Sequence, residues 1–350
     1  MSAWTDALAV AEAHVDGVVE SLTAQRDAAS ASLAQTTASL DAAEASLTAL
    51  TAERDAARAE RDTALAAAAA ATQAANEAAA QARPRRTVFG GCPSGAGGTS
   101  LAAAASVVSK YGSGSCVRQF FGGWQPPNFP AGAALVHASY AKSSIDIRSI
   151  LDGSQDAAIT AWAAGIVPPP GVTCVVEWMH EGDKKVSDGY CSLGDAVAAK
   201  SRFYDVVKAA NPALLVANTL TGWIFDTRSS AHGTLSEWGR CRADVLGADF
   251  DGIRPTVLPY PNFSPAQVAK VQEVVAASSA AGYRHWAVPE FGAPRISGDD
   301  GTVRAQWMLD TGTRFAAADA LYVAMYEYDS TPGYKLTAPL EVSAIRALAV

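Results

Sequence analysis

The chain has 350 residues, 49% hydrophobic and 8% aromatic, which is enough apolar material for two domains or for one large domain with an appendage. The formal net charge is −8, and both the first 86 residues and the rest are net acidic, so no basic stripe exists and nucleic acid is excluded as an expected partner. No stretch of about 18 residues is free of polar groups, so no membrane span is expected. The opening MSAWTDALAVAEAHVDG lacks a basic region followed by an apolar core, so no secretory signal is expected.

Residues 5–82 contain no proline and a single glycine, Gly17. A heptad register fits them, with one seam at Val19, Arg26, Leu33, Leu40, Leu47, Arg54 and Arg61. The other runs through Leu8, Val15, Leu22, Ala29, Thr36, Ala43, Leu50, Ala57 and Ala64. A sustained seven-residue repeat keeps one face of a slightly underwound helix towards a partner. A lone helix with so little apolar surface is marginal in water, so association is expected. A parallel homotrimer is the favoured assembly. A dimer, an antiparallel hairpin, a solvated helix and an Ala-rich spacer are the alternatives. Arg83-Pro84-Arg85-Arg86 ends the helix, because proline cannot continue the ladder and restricts the residue before it. The expected domains are therefore a stalk over 1–86 and a globular unit over 87–350.

From residue 87 short apolar strands alternate with helical stretches. The expected strands are Val88–Cys92, Cys116–Phe121, Ala134–Ser139, Thr173–Trp178, Leu214–Thr219, Phe250–Arg254, His285–Pro289 and Ala320–Tyr326. Helices are expected over Ser154–Gly165, Leu193–Ala210, Ser264–Ala281 and Thr302–Ala317. Eight strands alternating with helices over about 260 residues is the size of a (β/α)8 TIM barrel, an α/β fold. A doubly wound open sheet is the runner-up. It usually opens with a phosphate-binding glycine loop, and Gly90-Gly91-Cys92-Pro93-Ser94-Gly95 matches neither that fingerprint nor a Walker A loop. The cysteines at 92, 116, 174, 191 and 241 have no zinc spacing and read as buried structural thiols. A Cys92–Cys116 bridge is left open.

Barrel chemistry sits where strands end. Glu181 follows the fourth expected strand in TCVVEWMHEGDKK, and Glu290 lies at the end of the seventh in HWAVPEFGAP. Those strands stand across a barrel mouth from each other, so the two carboxyls can converge on one glycosidic bond. A retaining glycosidase needs one as nucleophile and the other as an acid that then acts as base. A partly apolar site with a second carboxylate raises the pKa of the acid.

These motifs resemble glycoside hydrolase clan A, and His180-Glu181 resembles its family 26, the β-mannanase type. The resemblance implies Glu181 as acid/base and Glu290, in Pro289-Glu290-Phe291-Gly292, as nucleophile. It further implies that Arg118, in Val117-Arg118-Gln119-Phe120, holds the nucleophile ionised, and that His137 and His180 contact sugar. Tyr260 is a loose match to the clan's strand-six tyrosine. Strand eight ends Tyr326-Glu327-Tyr328 where the clan often carries tryptophan. Trp124, Trp178, Trp223 and Tyr328 are candidate stacking platforms, whereas Trp162, Trp238 and Trp307 read as packing. Asp249 and Asp251 complete no ligand set, and neither a metal nor another cofactor is expected.

The Lys-free, Ala-rich stalk joined to a sugar-cleaving barrel is similar to minor tail or fibre proteins of phages that infect actinobacteria. That resemblance implies a virion location, assembly in the host cytoplasm, other tail proteins as partners, and action on a host-surface polysaccharide. Oligomerisation would multiply modest sugar affinities by avidity. The alternative is a catalytically inactive module that binds glycan or is purely structural.

Overall fold

The computed structural model describes residues 2–81, 87–92, 100–140, 146–250, 258–260, 264–327 and 333–349. Two compact units emerge, Met1–Gln73 and Ala74–Val350. The first is formed by one continuous helix, α1 (Ser2–Gln81). Its alanines favour the helix, and Thr23, Thr36 and Thr48 return their hydroxyls to carbonyls four residues back. The seam leucines lie open: Leu33, Leu40, Leu47 and Leu50 are each 60–69% exposed.

The second unit is a closed barrel of eight parallel strands in chain order, the expected (β/α)8 architecture. Its strands are β1 (Val88–Gly91), β2 (Cys116–Phe121), β3 (Leu135–Tyr140), β4 (Thr173–Trp178), β5 (Leu215–Thr221), β6 (Val245–Asp249), β7 (His285–Phe291) and β8 (Tyr322–Met325). The helices are α2 (Leu101–Tyr111), α3 (Ile147–Leu151), α4 (Asp156–Ala164), α5 (Gly182–Ser187), α6 (Leu193–Ala210), α7 (Leu235–Trp238), α8 (Pro265–Ala277), α9 (Thr302–Ala317) and α10 (Pro339–Ala349). Serines begin three of them: Ser100 caps α2 through the Ala103 amide, Ser192 caps α6 through the Asp195 amide, and Ser264 with Gln267 forms a capping box on α8.

Side chains alternate along each strand. Outward residues meet the helices in one large core. Inward residues at the lower end form a small apolar plug of Cys116, Leu135, Val175, Ala217, Val245, Ala287, Tyr322 and Ala324. Two residues further along β2, β3 and β4 the inward positions become Arg118, His137 and Glu177, all buried. An apolar floor thus carries a polar layer just below the C-terminal mouth.

Two local features aim site residues. The sequence places strand six at Phe250–Arg254, but β6 runs over Val245–Asp249, and residues 251–257, with Asp251, lie outside the described residues. Gly247 disguises this strand. It serves a close approach, since a Cβ there would lie 2.4 Å from Thr219 Oγ1 and 2.8 Å from the Pro289 ring. Asp249 consequently ends β6, inside the mouth. In β7 the pairing with β8 slips between Val288 and Phe291, the signature of a bulge. Val288 and Phe291 both face the helix layer, so the bulge at Pro289-Glu290 turns the Glu290 carboxylate inward.

All five cysteines are free thiols, which excludes the Cys92–Cys116 bridge. The C-terminal helix is tied on by charge. Glu341 is fully buried and accepts hydrogen bonds from Arg304 Nε (2.7 Å), Arg295 Nη2 (2.7 Å) and the Thr337 and Ala338 amides (3.0 Å each). Glu341→Ala strands a fully buried guanidinium and should destabilise the barrel by about 3–5 kcal/mol. Chemical denaturation of the two proteins measures that difference.

Candidate active site

Arg118 organises the mouth. Its guanidinium is fully buried, with Nη1 3.2 Å from Glu290 Oε1 and 3.6 Å from Asp249 Oδ1. Its Nη2 lies 3.3 Å from Ser139 Oγ and 2.9 Å from His180 Nδ1. One cation therefore joins the ends of β2, β3, β4, β6 and β7. The neighbouring Glu290 and Asp249 raise the Arg118 pKa against the burial that lowers it, so the charge is permanent.

His180 and Glu181 sit on a strained exit from β4. Met179 (φ 59°) and Glu181 (φ 51°) both take the left-handed conformation, which residues with a Cβ rarely adopt. Neighbours hold this turn. A Cβ on Gly182 would lie 2.9 Å from the Trp238 ring and 3.2 Å from the Lys200 stem, so only glycine lets the chain pass. Asp183 then accepts the Thr221 amide (2.9 Å) and the Thr221 hydroxyl, which fastens α5 to β5. The result presents Glu181 half-buried at the mouth and points the His180 ring at the opposite strands. His180 Nε2 lies 3.1 Å from Asp249 Oδ2 and 3.4 Å from Glu290 Oε1.

Beneath this lies Glu177, completely buried. Its Oε1 accepts the Thr219 amide at 2.6 Å and lies 3.6 Å from Lys200 Nζ. Its Oε2 accepts the Ser139 hydroxyl at 3.2 Å and stands 3.5 Å from both His137 Nε2 and His180 Nδ1.

The protonation states follow from these neighbours. Burial raises the Glu181 pKa, and the negative charges of Glu290 and Asp183 add to the rise while His180 opposes it. Burial also works to raise the pKa of Glu177, yet hydrogen bonds from His137 and His180 and the charge of Lys200 hold it well below the usual carboxylate range. His137 is pushed down to about 4, chiefly by burial, and is neutral. For His180, burial and Arg118 favour the neutral ring, while Asp249, Glu290 and Glu177 raise its pKa well above the ordinary value. Arg118 Nη2 lies 2.9 Å from Nδ1 and 3.4 Å from Nε2, over the ring and not in line with either nitrogen. Three carboxylates outweigh one guanidinium, which favours the charged ring.

His180, Asp249 and Glu290 each offer a ligand atom within 4.8 Å of the others. The Arg118 guanidinium already lies against both carboxylates, so this cluster carries its own cation and is a poor metal site.

The structure brings together Arg118, His180 and Glu290, and Glu181 lies close enough to feel their charges. The structure moves several other candidates elsewhere. Trp178 is 1% exposed and faces the helix layer beside Phe203, because it is one residue out of phase with the inward Glu177, so it is no sugar platform. Trp124 packs on Phe203 and donates to Gln155. His137 lies too deep to touch a sugar: it is fully buried, with Nδ1 2.7 Å from the Tyr322 hydroxyl. Tyr260 is buried, donates to Asp299 and accepts the Ile296 amide, which fixes the loop before α9. Tyr326 is half-buried against Tyr334. Trp223, after β5, is 53% exposed, and the Arg228 guanidinium rests over its ring. Tyr328 lies outside the described residues. Phe120, the uppermost inward residue of β2, is 39% exposed and meets the His180 ring edge-on.

Glu177, Asp249, Ser139 and Lys200 complete the site, although the sequence reading assigned no site role to three of them and only an unsupported metal role to Asp249. Signals were present. A carboxylate inside the apolar run Thr173–Trp178 can be stable only with partners. Lys200 falls on the Ala196–Ala199–Phe203 face of a helix, where a lone cation needs an anion.

No protein-family profile matches the chain, and no curated protein matches its sequence. Solved structures resemble it in fold. A glucosidase from Croceicoccus marinus has a TM-score of 0.50 at 14% identity, over 76% of this chain and 67% of that one. GH26C from a Muricauda species has a TM-score of 0.48 at 13% identity, over 75% and 85%. An endo-β-1,4-mannanase from Thermotoga petrophila has a TM-score of 0.45 at 11% identity, over 77% of both. At such identities the likeness speaks to the barrel fold alone.

Proposed function

We propose that the barrel is a retaining glycoside hydrolase acting on a surface polysaccharide, with Glu290 as nucleophile and Glu181 as acid/base. The supporting observation is a pair of carboxyls with opposed environments: Glu290 beside a buried guanidinium, and Glu181 with a raised pKa that feels the charge of Glu290. Environments that push two carboxyls apart are how acid and base roles are divided. In the first half-reaction a Glu290 oxygen bonds to the anomeric carbon as the glycosidic C–O bond breaks. The Glu181 proton passes to the leaving oxygen. In the second, water bonds to that carbon, its proton passes to Glu181, and the Glu290 ester bond breaks. Exposed Phe120 and Trp223 at the ends of β2 and β5 offer apolar faces to sugar rings.

Reducing-end release from a panel of bacterial envelope polysaccharides by the full-length chain tests this reading. Release that disappears in Glu181→Gln supports it. Binding without release, in wild type and variant alike, would replace it with the glycan-binding alternative.

The acid role sets a pH dependence. Glu181 must carry its proton, so kcat/KM should fall as pH rises through its raised pKa, and that limb should lie above the ordinary glutamate value near 4.3. A pH profile of kcat/KM checks the sign; an activity that rises across the same range opposes it.

The stalk reading extends the proposal. Open leucines repeating on an 80-residue helix favour self-association, with a parallel trimer first. Light scattering should give a multiple of the monomer mass for the full chain. Charged substitutions at Leu33, Leu40 and Leu47 together should return it to a monomer. A sugar-cleaving barrel on an oligomeric stalk suits display on a phage tail, where several weak sites engage one surface.

A further inference from the structure

Glu177 belongs to neither half-reaction, yet it is a buried carboxylate placed directly beneath the reacting groups. It touches β3 through Ser139 and His137, β5 through the Thr219 amide, and α6 through Lys200. Above it stands His180, whose Nδ1 lies 3.5 Å from Glu177 Oε2 and 2.9 Å from Arg118 Nη2. The other ring nitrogen faces Asp249 and Glu290.

We propose that Glu177 is a positioning residue: its carboxylate fixes the His180 ring between itself and the Asp249–Glu290 pair, so that His180 serves both reacting carboxyls in turn. This rests on the glycosidase reading of Glu181 and Glu290. Charge bookkeeping around the ring explains the arrangement. Arg118 on β2 and Lys200 on α6 supply two cations. Glu177, Asp249 and Glu290 supply three anions, His137 on β3 is neutral, and Glu181 rests as the acid. A protonated His180 balances that set. When the Glu290 charge disappears into the glycosyl ester, Glu181 has just lost its proton and become an anion whose charge His180 feels. The imidazolium therefore has a negative partner in both half-reactions without moving. Glu177 and Asp249 keep their charge throughout, and the contacts of Glu177 to three elements hold it still.

The test is nitrogen-15 NMR of the histidines in the full-length protein, with His180 assigned by His180→Gln. At neutral pH the wild type should show both His180 nitrogens protonated. Glu177→Gln should lower the proton affinity of His180 by about tenfold or more. Glu177→Asp keeps the charge but draws it back, and should produce a smaller fall in the same direction. If Glu177→Gln does not fold, Glu177→Asp carries the variant arm. A neutral wild-type ring would overturn the proposal, as would a His180 proton affinity unchanged in the variants. Where cleavage is measurable, the alkaline limb of kcat/KM should move to lower pH in Glu177→Gln with KM little altered. The NMR arm stands without any turnover, so failure of this inference is distinguishable from failure of the glycosidase reading.

Discussion

Glu290→Gln should remove cleavage by at least about a thousandfold while leaving the barrel folded. Losing a nucleophile removes the covalent route, and only binding and electrostatic assistance remain. The amide has nearly the shape of the carboxylate and stays beside Arg118, so packing changes little. The charge does change, because Arg118 and His180 then face Asp249 without its neighbour. Glu181→Gln should cost about 10²–10⁴-fold, the usual range for a general acid. Substrates whose leaving groups need no proton should be less affected. That contrast separates the two roles, since loss of a nucleophile harms every substrate. Equal loss on both kinds of substrate in Glu181→Gln would contradict the division.

Arg118→Met is the second large effect. It keeps the length of the side chain and removes the cation that two buried carboxylates share. Leaving buried charge uncompensated costs about 3–5 kcal/mol. Chemical denaturation should show that loss at neutral pH and a smaller one in acid. The sign follows from linkage: without Arg118 the folded carboxylates have raised proton affinity, so lowering the pH relieves the penalty. Arg118→Lys should rescue only part, because one ammonium cannot reach Glu290, Asp249 and Ser139 together as a planar guanidinium does. Undiminished stability in Arg118→Met would mean that the cluster is neutralised some other way.

Much of this was legible in the sequence because the barrel writes itself in short apolar runs at regular intervals. β2, β4 and β7 stand close to where their apolar runs place them, and these carry Arg118, His180, Glu181 and Glu290. Strand six was displaced because Gly247 weakens the strand pattern, although the fold needs a glycine where Thr219 and Pro289 close in. The inward turn of Glu290 depends on a bulge, and a bulge depends on the partner strand, which no local pattern reveals. Trp178 was misread for a related reason. Strand residues alternate, so if Glu177 faces the barrel axis its neighbour faces the helices. The sequence reading takes Trp178 as a sugar platform from its residue type and gives Glu177 no role. The buried carboxylate was the more informative of the two, because it could not lie in a core without the partners that the structure supplies.

The most direct measurement of the central claim is covalent trapping on the full-length chain. A 2-fluoro glycoside of whichever sugar is released from envelope polysaccharide, carrying an activated leaving group, is incubated with the protein, and the digested peptides are weighed. The expected result is one glycosyl adduct on the peptide containing Glu290, absent in Glu290→Gln and formed by Glu181→Gln. An adduct on another carboxylate, or turnover that yields the inverted anomer with no adduct at all, would contradict the assignment.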